Sequence, residues 1–177
     1  IYVDPMNENS QTGVPDASRD SVLELGERVK ELKCLYEVAA VFAERGGSLR
    51  ECLARVVAVL PEACRFPASA IARVRLDEIE VAWPPGHMEP QASGIHASLL
   101  IGGRERGEVT LAYERHPAVG TVMTDLQSSG AFLTEERALL NTVAHQIGVF
   151  VTGMEAEQHR ANIEATLRHA DRLATIG

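Results

Sequence analysis

The hydrophobic residues of this chain follow two different periods, and the change of period separates predicted helices from predicted strands. Near the start, apolar residues recur in alternating steps of three and four, at Val22, Leu25, Val29, Leu32, Tyr36, Ala39 and Ala43. This spacing lines one face of a helix and is typical of a heptad seam. Ser21 with Glu24 and Ser48 with Glu51 match capping boxes, so we expect two helices that begin at these serines.

A period of two begins after Pro67 and predicts strands. Alternation of apolar and polar residues runs through residues 70–76, 79–83, 95–101 and 109–113. Asp77 and the glycine-rich residues 102–107 are placed to turn the chain between these segments, which gives two hairpins. Residues 114–131 have few apolar positions, so we expect a long loop over one face of the sheet. The predicted fold class is α+β, with a mostly antiparallel sheet flanked by helices.

The last predicted helix is longer than the sheet can cover. Thr134 is in position to cap it, and without a later proline a helix over residues 135–176 would extend roughly 60 Å. Its apolar residues form one series at Leu140, Val143, Ile147, Phe150 and Met154 and a second at Ile163, Leu167, Ala170 and Ala174. The second series is out of phase with the first. We interpret this as a break in heptad register, at which two packings of similar energy could act as a switch.

Such a helix would expose its apolar stripe to water unless a second chain covered it. We therefore expect a homodimer with parallel helices. The predicted interface consists of Val22, Leu25, Val29 and Leu32 from the first helix and of Leu140, Val143, Ile147, Phe150 and Met154 from the last helix.

Composition limits the remaining possibilities. With 177 residues, 45% of them hydrophobic, the chain can form one core with helical extensions. We expect a flexible polar tail over residues 1–20, a domain over 21–153 and a projecting helix over 154–177. A net charge of -8 disfavours nucleic-acid binding, and the apolar stretches are shorter than the roughly 20 residues of a membrane span. Three cysteines without a CxxC pair indicate a reducing, cytoplasmic location.

Several stretches carry a resemblance to a known family. They are residues 31–38 (ELKCLYEV), residues 60–67 (LPEACRFP) followed by 70–74 (AIARV), and residues 132–140 (FLTEERALL). Through these stretches and the order of its elements, the segment 28–153 resembles the GAF domains of bacterial two-component sensors. The run 169–177 (HADRLATIG) looks like the opening of a histidine-kinase dimerisation helix, just before its phosphoacceptor histidine.

The resemblance implies a sensory domain without catalytic activity of its own, in a protein that is a histidine kinase at full length. A small molecule or a partner would change the packing of the domain, and the paired helices would pass that change to a kinase core that phosphorylates a response regulator. Two alternatives remain open. The domain could be a dimerisation spacer without a ligand, or an enzyme similar to the GAF proteins that reduce free methionine sulfoxide.

The resemblance also indicates which residues could form a ligand pocket. They are Trp83, His87, Met88, His96, Tyr113 and His116. The spacing of the histidines matches no metal motif, so no metal site is predicted, and the sequence singles out no cofactor. Cys34 is a candidate redox centre or cofactor anchor, although a cysteine on a helix more often fills the core.

Overall fold

The fold is α+β, as predicted. A computed structural model describes residues 16–44, 46–86, 94–114, 132 and 134–176. The elements are helices α1 (Asp16–Ala43), α2 (Leu49–Val59) and α3 (Thr134–Ile176), strands β1 (Ala70–Leu76), β2 (Ile79–Trp83), β3 (Gly94–Ile101) and β4 (Arg104–Tyr113), and short 3₁₀ helices at Leu60–Ala63 and Pro67–Ser69. The strands form one antiparallel sheet in the order β2-β1-β4-β3.

The two predicted capping boxes have different outcomes. At α2, the Ser48 side chain accepts a hydrogen bond from the Glu51 backbone, and the Glu51 carboxylate accepts one from the Ser48 backbone N–H at 2.7 Å. The capping box predicted at Ser21 does not mark the start of a helix, because α1 already begins at Asp16. The first turn of α1 is polar, so no periodic pattern of apolar residues marks the start of this helix in the sequence. Residues 16–20 of the predicted flexible tail belong to α1, while residues 1–15 lie outside the described residues.

The second hairpin has a shorter turn than predicted. Gly102 and Gly103 alone make it, and β4 already begins at Arg104. Gly107 lies inside β4, where a Cβ atom would be 1.9 Å from the carbonyl oxygen of Arg75 on β1. This glycine therefore allows two strands to approach closely and has no part in the turn.

The core lies between the sheet and the helices. Its fully buried side chains come from every layer: Val38, Leu53, Val56, Leu60, Val74, Leu76, Leu99, Val109, Leu111, Leu140 and Ile147. At Gly148 of α3, a Cβ atom would lie 2.5 Å from the carbonyl oxygen of Leu100. The glycine lets α3 lie directly on β3.

The opposite side of β1 is less exposed than its alternating pattern suggests. Ile71 and Arg73 point away from the helices, yet both are buried. Arg73 forms ion pairs with Glu80 at 3.0 Å and with Glu108 at 3.8 Å, both on neighbouring strands. Alternation alone would leave this side of the strand exposed, but the paired carboxylates allow an arginine to be buried there.

The predicted dimer interface needs a correction on α3. Leu140, Val143 and Ile147 are at most 2% exposed because they pack against the chain's own sheet. Phe150 is half-buried and stacks on Phe42 of α1 with ring centroids 4.4 Å apart, while Met154 is exposed. A helix that lies on a sheet has the same three-and-four spacing as a helix that pairs with another helix. The sequence pattern could not separate the two cases.

We expect Gly107→Ala to destabilise the fold by about 3 kcal/mol, because the added methyl group must displace the backbone of β1. Gly153→Ala is the matched control: nothing lies within 4 Å of its added Cβ on α3, so helix propensity should raise stability by about 1 kcal/mol. Urea denaturation at one protein concentration measures both effects. Equal stability of the two variants would contradict the close strand contact.

Candidate functional site

The described members of the predicted pocket lie on both sides of the sheet. Trp83 pairs with Ala72, and Tyr113 pairs with Ala70, so both lie on the helix-facing side of the sheet. His96 pairs with Thr110 on the opposite side and is exposed. His87, Met88 and His116 lie outside the described residues, so their part of the pocket stays a prediction.

Tyr113 belongs to a buried cluster that fixes the start of α3. Its hydroxyl donates to Glu136 at 2.5 Å, and the backbone N–H of Arg65 donates to the same carboxylate oxygen at 2.8 Å. Its ring stacks on Phe132 with centroids 4.8 Å apart. Burial, followed by the hydrogen bond to Glu136, raises the pKa of Tyr113. These contacts join β4 and the residues between the two 3₁₀ helices to the first turn of α3, so they favour a structural role for Tyr113.

Cys34 is in surroundings that favour packing over redox chemistry. Its side chain is 2% exposed, and burial, with smaller contributions from Glu37 and Glu62, raises its pKa to about 12. Burial likewise raises the pKa of Cys64 to about 12, with Glu136 contributing next. Reactive cysteines have a lowered pKa and an accessible sulfur. Within the described residues, no cluster of His, Cys, Asp and Glu could hold a metal ion.

A different surface has the properties of an interaction site, and its first part is on α1. We call Val22, Leu25, Val29, Leu32 and Tyr36 the α1 stripe; these side chains are 59–76% exposed. The opposite face of α1 carries Cys34, Val38 and Val41 into the core. An exposed row of large apolar side chains at heptad spacing is typical of a helix that pairs with another helix.

The second part is on α3. At about 100° per residue, Ile163, Leu167, Ala170 and Ala174 point away from the face that carries Val143 and Ile147. Val149 and Ala156 share their direction, and all six are exposed. We call this row (Val149, Ala156, Ile163, Leu167, Ala170, Ala174) the α3 stripe. The two apolar series therefore lie on different faces of one continuous helix, and a switch at the break in heptad register stays a prediction.

A groove lies between α1 and α3, and Val149 of the α3 stripe is part of its lining. It has a volume of about 450 Å³ and is lined by Ala39, Phe42, His145, Gln146, Val149 and Phe150. The helices run in the same direction. Lys33 of α1 pairs with Glu62 at 3.2 Å, and the backbone N–H of Arg65, three residues further, donates to Glu136 at the start of α3 at 2.8 Å. Phe42, further along α1, stacks on Phe150. The start of α1 and the end of α3 therefore extend from opposite ends of the domain.

Comparison with profiles of known protein families, with curated proteins and with solved structures finds no match for this chain. Among the described residues, no helix combines the length and the apolar character that are needed to cross a membrane.

We expect Cys34 and Cys64 of the native protein to react slowly with a thiol reagent at pH 8. A thiol with a pKa of about 12 is ionised to only about one part in ten thousand at that pH, and burial blocks access to it. In denaturant, all three cysteines should react quickly. Mass spectrometry of the labelled peptides measures each site. Rapid labelling of Cys34 in native protein would instead favour the redox role.

Proposed function

We propose that this chain is a GAF-like sensory domain of a histidine kinase, which passes a small-molecule or partner signal through parallel dimer helices to a downstream kinase core. The observation that carries the proposal is that α3 has two parts, one packed on the sheet and one projecting from it. Up to Val151 one face packs on the sheet, whereas residues 152–176 are exposed on every side. The α3 stripe begins in the packed part and continues along the projecting part, on the side of the helix that faces away from the sheet.

The apolar stripes support a second copy of the chain as the occupant of this surface. In the heptad of α1, the β-branched residues Val22 and Val29 occupy position a, and Leu25 and Leu32 occupy position d. This combination favours two parallel strands in a coiled coil. Because α1 and α3 run in the same direction, one parallel arrangement would cover both stripes and align the two projecting ends of α3.

The contact between β3 and α3 supports a sensory role. Gly148 places the helix backbone directly on the backbone of Leu100, so a change in strand position would displace the helix without an intermediate layer of side chains. Two packed elements that shift together are a common route for a conformational signal. The resemblance of residues 169–177 to the start of a kinase dimerisation helix supports a kinase as the receiver.

The dimerisation spacer is the second candidate, and the filled core favours it. Leu53, Leu99 and Ile147 fill the space between the sheet and the helices, and all three are fully buried. A spacer needs the same dimer but no ligand, so the mass and the absorption spectrum of the protein from its own host distinguish the two functions. The methionine sulfoxide reductase receives less support, because Cys34 and Cys64 are buried thiols with raised pKa values.

We expect the wild-type chain to dimerise and Leu32→Glu to weaken its self-association about a hundredfold. Each dimer would lose two buried leucines, worth about 1.5 kcal/mol each, and would bring two carboxylates together. Glu24→Lys, on the same helix but outside the α1 stripe, should leave association unchanged. Sedimentation velocity over a concentration series measures all three proteins. A wild-type chain that sediments as a monomer at every concentration would sink the proposal.

A further inference from the structure

Arg106 joins three separate segments at the point where α3 leaves the sheet. On β4, its guanidinium donates to both carboxylate oxygens of Asp77, from Nε at 3.1 Å and from Nη2 at 2.5 Å. Its remaining nitrogen, Nη1, donates to Glu155 of α3 at 2.7 Å. Asp77 forms the turn between β1 and β2. One side chain therefore connects a hairpin turn, a strand and the helix.

The other hairpin turn is connected to the same part of α3. The backbone N–H of Gly102 donates to the hydroxyl oxygen of Thr152 at 3.0 Å, and that hydroxyl donates to the carbonyl of Gly148 at 2.8 Å. Thr152 directly follows Val151, after which α3 is exposed on every side. Both hairpin turns thus hold the first turn of the projecting helix.

The backbone at Asp77 adds to this connection. Its φ of 50° is uncommon for a residue other than glycine. Its N–H donates to the carbonyl oxygen of Arg106 at 3.1 Å. Arg106 thus holds Asp77 through both its side chain and its backbone, and the guanidinium holds the pKa of Asp77 below its ordinary value.

The two ends of the packed part of α3 are held by different kinds of contact. At the start, Glu136 is 3% exposed, so releasing it would open the core. At the exit, the side chains of Arg106, Asp77 and Glu155 are 32%, 45% and 51% exposed. Exposed ion pairs contribute little individually, although fork geometry and a network strengthen them. The exit contacts can therefore open while the core stays folded.

We propose that Arg106 is a positioning residue that couples the sheet to the projecting half of α3. With its contacts closed, Arg106 fixes the direction of the helix relative to both hairpin turns; with them open, residues 152–176 move independently of the sheet. An arginine suits this position, because its planar fork binds Asp77 with one edge and leaves a third nitrogen for Glu155. The meaning of this coupling for signalling rests on the proposed function, whereas the coupling itself does not.

Amide hydrogen exchange of the whole chain, followed by mass spectrometry, tests this proposal. In Arg106→Ala, exchange within residues 152–160 should become about three to ten times faster, while exchange within 139–150 stays unchanged. Arg106→Lys should have an intermediate effect, because one ammonium cannot satisfy both carboxylates. Arg104→Ala, a neighbouring exposed arginine on β4, is the matched control and should match wild type.

Glu155→Gln provides a second, independent variant. It should speed exchange in residues 152–160 less than Arg106→Ala, and adding it to Arg106→Ala should produce no further effect, because both remove the same contact. Unchanged exchange in Arg106→Ala, an equal effect of Arg104→Ala, or faster exchange throughout the core would overturn the proposal. Hydrogen exchange in α3 can be measured whether the chain is a monomer or a dimer. A result that contradicts the proposed dimer is therefore distinct from one that contradicts the coupling through Arg106.

Discussion

The structure depends on one constraint: α3 is a single helix that must place two different faces in two different environments. A sheet can cover only one side of a helix, and its strands are much shorter than 43 residues of helix. The side that meets the sheet carries Leu140, Val143 and Ile147, and the opposite side carries the α3 stripe. The apolar stripes, the groove beside α1 and the exposed end of the helix all follow from this division.

Because α3 has this double role, its position on the sheet must be fixed accurately. Glu136 anchors the start through Tyr113 and the Arg65 backbone. Gly148 sets the closest approach to β3 in the middle, and Arg106 holds Glu155 where the helix leaves the domain. Glu136 and Gly148 are buried, whereas the Arg106–Glu155 ion pair is accessible to water, so we expect α3 to open more easily at its projecting end than at its start.

Local chemistry was predictable where a short pattern has one physical solution. The Ser48 and Glu51 capping box, the two hairpins and the uninterrupted helix from Thr134 follow from side-chain hydrogen bonds, alternation and the absence of proline. Features that depend on a distant neighbour were not predictable. Gly107 looks like part of a turn until Arg75 is placed beside it, and the face of His96 depends on strand pairing.

The candidate site shows the same limit. The heptad residues of α1 were recognised from spacing, and they are exposed. The spacing on α3 indicated two apolar series but not which of them meets the sheet, because helix-on-sheet and helix-on-helix packing share one period. Arg106 and Glu155 lie 49 residues apart in the sequence, and no motif connects them.

The central claim, that the outer faces of α1 and α3 meet their copies in parallel, is tested most directly by disulfide formation at Ala170→Cys. In a parallel pair, the two copies of residue 170 face each other across the seam, within the roughly 4–7 Å between Cα atoms that a disulfide requires. Arg172→Cys, about 200° further around the helix, is the control. We predict rapid cross-linking at 170 and little at 172; the reverse order, or no cross-link at 170, would contradict the account.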